Sequence, residues 1–507
     1  MSTHLLGVDI GTQGVKAGLF DAADGRCVFS AFRPSRLHRP RPGTVEEDPE
    51  YQFDGVCAVI RKCLRRSGVR PGAVAAAAID GQMAGIIGVG ADGRAMTPYD
   101  SWLDTRCAPY IEMMRRRAGE EIVARTGGTA SFNHGPKILW WMHERPRDFR
   151  RIRSFVQPGG YTAMRLCGLT AENAFIDHTY LHFSGFADNR AGRWDEALCR
   201  RFRLEQNKLP RITRPQDVVG EVTPDMSRRC GLASGTPVVA GCGDTAASFL
   251  ACGATREGVC VDVAGTASVF AATTSSFRAD TARGMLAWGR SATPGLWHPY
   301  AYINGGGMNL EWFRKELAAT GRSRAKKSID FDALNRLAEK TEAADPDAPL
   351  FVPHLGGRVC PPQPRLRGAW IGLNWSHTLG HLYRAVLEGA VLEYGLYQQR
   401  VAQLCPKLRL KELRVTGGGE KSAVWNAIKA DVLQIPVVQV ARGGGAPMGS
   451  AMLAGVGIGL LKSLPDAART WIVAGSRTNP RKSLRGRYRA RLKRYQALLE
   501  LMNKESS

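Results

Sequence analysis

The 12 cysteines of this 507-residue chain include no Cys-x-x-Cys pair and no Cys/His spacing suited to a metal ion. Their scatter excludes a zinc finger or ribbon. The first apolar run starts within four residues of Met1, leaving no room for a secretory leader. The expected compartment is therefore the cytoplasm, and the expected cysteines are reduced thiols in core positions rather than a disulfide framework. Low-complexity tracts and long linkers are absent. Long hydrophobic runs are lacking too: residues 443–461 carry no charge, but seven glycines (Gly443 among them) and Pro447 interrupt them. A buried loop and helix is expected there, not a membrane span.

Acidic residues are scarce. Against 70 Lys and Arg stand only 46 Asp and Glu, a formal net charge of +24. Such a surplus invites a nucleic-acid reading, yet the basic residues are spread along the chain without a helix-turn-helix or aromatic platform. In the densest stretch Leu484, Tyr488, Leu492, Tyr495, Leu498, Leu499 and Met502 recur at helical spacing between arginines. The pattern predicts a closing helix over 484–502, docked by its apolar face, and no nucleic-acid partner.

Hydrophobic residues at 44% and charged residues at 23% fit a globular protein, and the length allows two to four domains. Leu5 to Phe20 reads as a hairpin, two apolar runs about a Gly11-Thr12-Gln13-Gly14 turn. Asp9 interrupts the first run, where a carboxylate is out of place unless it faces a cleft or a cation. The turn offers backbone N–H groups, the Thr12 hydroxyl and the Lys16 ammonium to phosphate oxygens. It is neither a Walker A loop nor a dinucleotide fingerprint. A second copy follows half a chain later, with Asp262 and a Gly265-Thr266 turn between apolar runs Gly258–Ala264 and Ala267–Phe270. The repeat points to two related α/β domains, 1–250 and 251–507, facing each other across a cleft that grips a triphosphate from both sides.

Between the hairpins, an apolar strand over 74–79 ends in Asp80-Gly81-Gln82-Met83-Ala84-Gly85, polar groups at the edge where open α/β sheets bind ligands. Asp104 and Arg106 read either as a surface ion pair or as pocket residues. Gly241-Cys242-Gly243-Asp244-Thr245 reads as a strand, a turn and the start of a helix. Asp244 is there either a helix cap or a catalytic carboxylate, with the helix dipole favouring its ionised form. Gly417-Gly418-Gly419 lets a backbone approach a flat ring closely. Further helices are expected over 51–67, 422–433 and 448–461, and a local hairpin over 86–93.

Taken in this order, the motifs resemble the FGGY family of carbohydrate kinases, most of all its xylulokinase branch, over nearly the whole chain. Pro136-Lys137-Ile138-Leu139-Trp140 resembles the core of the family's first signature, with His134 where a small residue is usual. Gly368 to Leu373 continuing to His381–Glu388 matches the second. Gly417 to Trp425, including Ser422, resembles the adenosine loop, with Glu420 where Ala is common. The resemblance implies duplicated RNase-H-like domains of the actin, hexokinase and Hsp70 type, ATP and Mg²⁺, and γ-phosphoryl transfer to a sugar hydroxyl, as from D-xylulose to D-xylulose 5-phosphate. It makes Asp244 the general base, and Asp9 with Asp244 the metal carboxylates. Gln82, Met83, Ala84, Asp104, Arg106 and Thr245 fall at the sugar, and a homodimer stays open as the assembly. Asp262 is expected to be structural. Ala84 and Thr245 depart from the His and Asn usual at those positions, which leaves another ketose or a polyol such as ribulose or a tetritol as the alternative substrate. The same fold also serves chaperones, filaments and sugar-sensing repressors, as well as kinase homologues that bind ligand without catalysis.

Overall fold

A computed structural model of the chain describes residues 3–319, 329–441 and 444–506; Gly443 lies outside them. Two mixed sheets share one strand plan. In the first, β1 (His4–Gly11) and β2 (Gly14–Asp21) form the hairpin and β3 (Cys27–Pro34) extends it. Helix α1 (Pro49–Ser67) is capped by the Asp48 carboxylate and ended by Gly68 at φ 72°. It buries Phe53, Val56, Ile60 and Leu64 against this sheet. Strand β4 (Val74–Gly81) runs parallel to β1, and its Ala- and Ile-rich run is buried almost throughout, as a strand covered on both faces requires. Helix α2 (His134–Glu144) follows. Strands β5 (Val218–Glu221) and β6 (Pro237–Val239) complete the order β5-β6-β4-β1-β2-β3, and α3 (Asp244–Ala251) leaves the edge of β6.

The second sheet repeats this plan. Strands β7 (Val259–Ala264) and β8 (Ser268–Ala272) form its hairpin, flanked by β9 (Ala287–Arg290) and β10 (Trp297–Ile303). After α4 (Gly306–Trp312) and the long α5 (Leu379–Leu404), β11 (Glu412–Thr416) runs parallel to β7. Helix α6 (Ala423–Leu433), β12 (Val437–Val440) and β13 (Ala474–Thr478) finish the order β9-β10-β8-β7-β11-β12-β13. Each hairpin thus has a parallel strand beside it, then another, then an antiparallel edge. The repeat seen in two short motifs extends to whole sheets.

Helix α7 (Ala446–Gly457) comes from the C-terminal half but packs on β1 and β4 of the first sheet. Gly7 makes this approach feasible, since a Cβ there would sit 1.7 Å from the Pro447 carbonyl oxygen. The helix stops at Gly457 rather than Leu461, because the Leu461 amide folds back onto the Gly455 carbonyl through Gly459 at φ 72°. The local hairpin expected over 86–93 forms about the Asp92-Gly93 turn, with the Val89 to Ala95 bridge and the Gly90 and Met96 amides donating to the Arg94 and Gly88 carbonyls. On its other side Ile87–Val89 pairs with Ser154–Val156.

The C-terminal helix α8 (Arg485–Ser506) buries Tyr488, Leu492, Tyr495 and Leu499 as its spacing predicts. All twelve cysteines are free, and all but Cys27 and Cys167 are buried. No helix among the described residues is long and apolar enough to cross a membrane.

Candidate active site

Three strand ends deliver three carboxylates to one edge. The parallel register sets Asp9 of β1 beside Asp80 of β4. A bridge from Gly81 to Gly243 then brings in Asp244, the first residue of α3. Asp80 is fully buried and accepts from Ser450 Oγ of α7 at 2.5 Å. Asp9 Oδ1 is buried and has no hydrogen-bond partner among the described residues. Burial raises the pKa of both, and the charge of Asp9 raises Asp80 further; the hydrogen bond from Asp80 and the Lys16 ammonium pull Asp9 part of the way back. Lys16 stands opposite Asp9 in the hairpin register.

Asp244 is pushed up to about 7, first by burial and then by the nearby Asp9 charge. Two donors on one oxygen resist this shift: Thr245 N at 2.6 Å and Thr245 Oγ1 at 3.1 Å from Oδ1. The helix dipole favours the ionised form by only about 0.3–1 kcal/mol near a helix end, against the desolvation and the Asp9 charge that oppose it.

The Gln82-Met83-Ala84 turn is held from three sides. Gln82 Oε1 accepts from Thr12 Oγ1 at 3.3 Å, and its amide donates to Glu47 Oε1 at 2.9 Å, joining the turn to the first hairpin. Thr12 in turn accepts from Trp102 Nε1 at 2.8 Å. His134 Nε2 donates to the Met83 carbonyl at 2.6 Å; burial drops this imidazole to about 4, so it is neutral. Tyr180 OH reaches the carbonyls of Gly81 and Cys242 at 3.0 and 3.3 Å, tying the ends of β4 and β6 together. Glycine is needed at 243, where a Cβ would lie 1.7 Å from Met83 Sδ. Asp104 is fully buried, accepting from Val45 N at 2.8 Å and Arg106 Nε at 3.0 Å. Arg106 also pairs with Asp100 and Glu46, at 2.7 Å each. Both residues fix the loop carrying Trp102 instead of presenting free groups.

The second hairpin is built alike but charged differently. Asp262, the counterpart of Asp9, pairs with Lys429 Nζ at 2.6 Å and accepts from Tyr394 OH at 2.8 Å, all within the core. It has a countercharge in direct contact, whereas Asp9 shares its edge with two further carboxylates. The Gly265 and Thr266 carbonyls accept from the amides of Gly307 and Met308 at 3.1 Å each. Gly417, at φ 91°, sits where a Cβ would meet the Ala264 carbonyl oxygen at 2.6 Å. A Cβ on Gly418 would meet nothing within 4 Å, so no protein contact accounts for that glycine. Ser422 caps α6, accepting from Trp425 N at 3.3 Å and donating to Asn335 at 3.1 Å.

Two family models divide the chain. The N-terminal domain of the FGGY family of carbohydrate kinases matches residues 4–251, and the C-terminal domain matches 260–458. The chain belongs to the FGGY family of carbohydrate kinases. Among relatives, this FGGY chain is 26% identical over 445 residues to a gluconokinase of Bacillus subtilis (strain 168), covering 86% of this chain and 84% of that one. It is 27% identical over 464 residues to a xylulose kinase of Escherichia coli (strain K12), covering 90% and 91%. Among solved structures, the xylulose kinase from Rhodospirillum rubrum superposes with a TM-score of 0.89 at 27% identity, covering 99% of both chains. The FGGY fold is thus the actin and hexokinase ATPase fold expected from the duplicated hairpins.

Proposed function

We propose that this kinase transfers the γ-phosphoryl group of ATP to a ketopentose hydroxyl, D-xylulose first among them, with Asp244 as general base. The observation that carries this reading is Asp244 itself, a carboxyl poised near neutrality beside Asp9, whose Oδ1 has no hydrogen-bond partner among the described residues, at the edge where the first hairpin opens. As the sugar oxygen bonds to the γ-phosphorus, the bond from phosphorus to the β–γ bridging oxygen breaks and ADP leaves; Asp244 takes the hydroxyl proton. The Gly11-Thr12-Gln13 turn with Lys16, and the Gly265-Thr266 turn facing it, hold phosphate oxygens. Gly417, Gly418, Gly419 and Ser422 shape the nucleoside site. Gln82, Met83, Ala84 and Thr245 line the sugar, while Asp104 and Arg106 position the pocket wall.

Among the described residues no group of three or more His, Cys, Asp or Glu side chains is arranged to hold a metal by itself. Magnesium needs less, since it keeps waters and binds through one or two carboxylates plus phosphate oxygens. The orphaned Asp9 oxygen and the repulsion of Asp9 against Asp244 fit that role for these two residues. When bound, Mg²⁺ supplies neutralisation of phosphate charge. We place the enzyme in the cytoplasm, as a monomer or homodimer.

A base with this pKa fixes the acid limb of the pH profile. Asp244 must be deprotonated to accept a proton, so kcat/KM should fall about tenfold per pH unit below a midpoint near 7. A rate flat from pH 5 to 8 contradicts the role.

Relatives named gluconokinase give an aldonate as a second reading of the substrate. A coupled ADP-release assay over pentuloses, hexuloses, aldonates and alditols decides between them. D-Xylulose is expected to lead; a preference of a hundredfold or more for gluconate or an alditol rejects the pentulose. Ala84 presents only a methyl group to the sugar. Ala84→His should raise kcat/KM for D-xylulose up to about fivefold, the worth of one hydrogen bond of ~1 kcal/mol; no gain removes that hydroxyl contact from the reading.

A further inference from the structure

Glu420 lies in the loop that leaves β11 and leads into α6, against the second hairpin. Its backbone is pinned, the carbonyl accepting from Asn426 Nδ2 at 2.7 Å and Gln439 Nε2 at 2.5 Å. Its carboxylate is different: among the described residues it has neither a hydrogen bond nor a salt bridge. Lys421 and Lys429 attract it only at longer range, and the Lys429 ammonium is already committed to Asp262 at 2.6 Å. The side chain is half-buried, and two residues before it Gly418 leaves open space on the same loop.

A free carboxylate on a backbone held in this way is a two-oxygen acceptor, and it matches a ligand that brings two adjacent donors. Building on the kinase reading, we propose that Glu420 recognises the nucleoside of the phosphoryl donor by accepting such a pair. Two parts of a nucleoside offer one: the N1–H and N2–H edge of guanine, and the 2′,3′-diol of ribose. The adenine edge does not, because its N6–H donor stands beside the N1 acceptor, which a carboxylate repels.

The test compares wild type with Glu420→Ala and Glu420→Gln, measuring dissociation constants by calorimetry for ATP, GTP and 2′,3′-dideoxy-ATP. Glu420→Ala is expected to weaken binding by about tenfold or more, the usual range for a hydrogen bond to a charged group. Loss with GTP alone assigns the guanine edge. Equal loss with ATP and GTP, and none with the dideoxy nucleotide, assigns the ribose diol. Glu420→Gln, which keeps the shape but one acceptor, should fall between wild type and Glu420→Ala. If all three ligands bind each variant within twofold of wild type while sugar phosphorylation persists, the proposal is overturned and the kinase reading stands. If wild type binds none of the nucleotides, both fall together.

Discussion

Asp244→Asn should lower kcat by about 10²–10⁴, the usual contribution of general acid–base catalysis, with little change in fold or nucleotide affinity. Asparagine keeps the volume and an oxygen to accept from Thr245 N, so the start of α3 is preserved. What it loses is the ability to take a proton. It also removes a charge that Asp9 disfavours, so stability should hold or rise slightly. Turnover is read by coupled ADP release and affinity by calorimetry on the same preparation. A variant within a few-fold of wild type means that the proton goes elsewhere, and that Asp244 is only the first residue of a helix.

The second large effect concerns stability and involves none of the proposed site residues. Glu393 of α5 is completely buried, accepting from His354 Nε2 and Tyr495 OH at 2.8 Å each and from Arg358 at 3.1 Å. Burial alone would raise its pKa, but Arg358 and His354 bring it down to about 2. One turn earlier, Glu388 takes Tyr488 OH at 3.0 Å and Arg491 at 2.9 Å. Helix α8 is therefore latched to α5 through two buried carboxylates. Glu393→Ala leaves Arg358 without its countercharge and Tyr495 without its acceptor, and breaking a buried pair in this way costs about 3–5 kcal/mol. The denaturation midpoint should drop accordingly, whereas a change below ~1 kcal/mol means that water replaces the carboxylate. The sign with pH follows from a depressed folded pKa. The stabilisation is complete above the ordinary carboxylate range and is lost as the pH falls towards 2.

The latch explains what the sequence could and could not announce. The spacing of Tyr488, Leu492, Tyr495 and Leu499 marks a docked helix, and the structure buries all four. The carboxylates beneath them sit within an apolar helical run, and their partners on α8 lie about 100 residues away. The cleft divides in the same way. Asp9, Asp244 and the glycine turns are visible because each interrupts a local apolar pattern. Asp80 ends a strand that otherwise reads as pure core, and only the parallel register of β4 with β1 puts it beside Asp9. Glu47 and His134 were likewise hidden as site-building residues, because their contacts with Gln82 and Met83 span 35 and 51 residues. Asp104 and Arg106 show the reverse: the pair is plain in the sequence, but its commitment to Val45, Glu46 and Asp100 appears only in three dimensions. Helix α7 belongs by sequence to the C-terminal half and by packing to the first sheet, through a close approach that Gly7 on β1 and Gly455 on α7 permit.

Product analysis tests the proposed chemistry most directly. Wild-type protein incubated with Mg²⁺, ATP and D-xylulose, followed by phosphorus NMR, should yield ADP and one new sugar phosphomonoester in equal amounts, with neither formed when Asp244→Asn replaces wild type over the same interval. ADP accompanied by inorganic phosphate and no sugar ester would show transfer to water, and would contradict a cleft built to place a sugar hydroxyl between Asp244 and the γ-phosphoryl group.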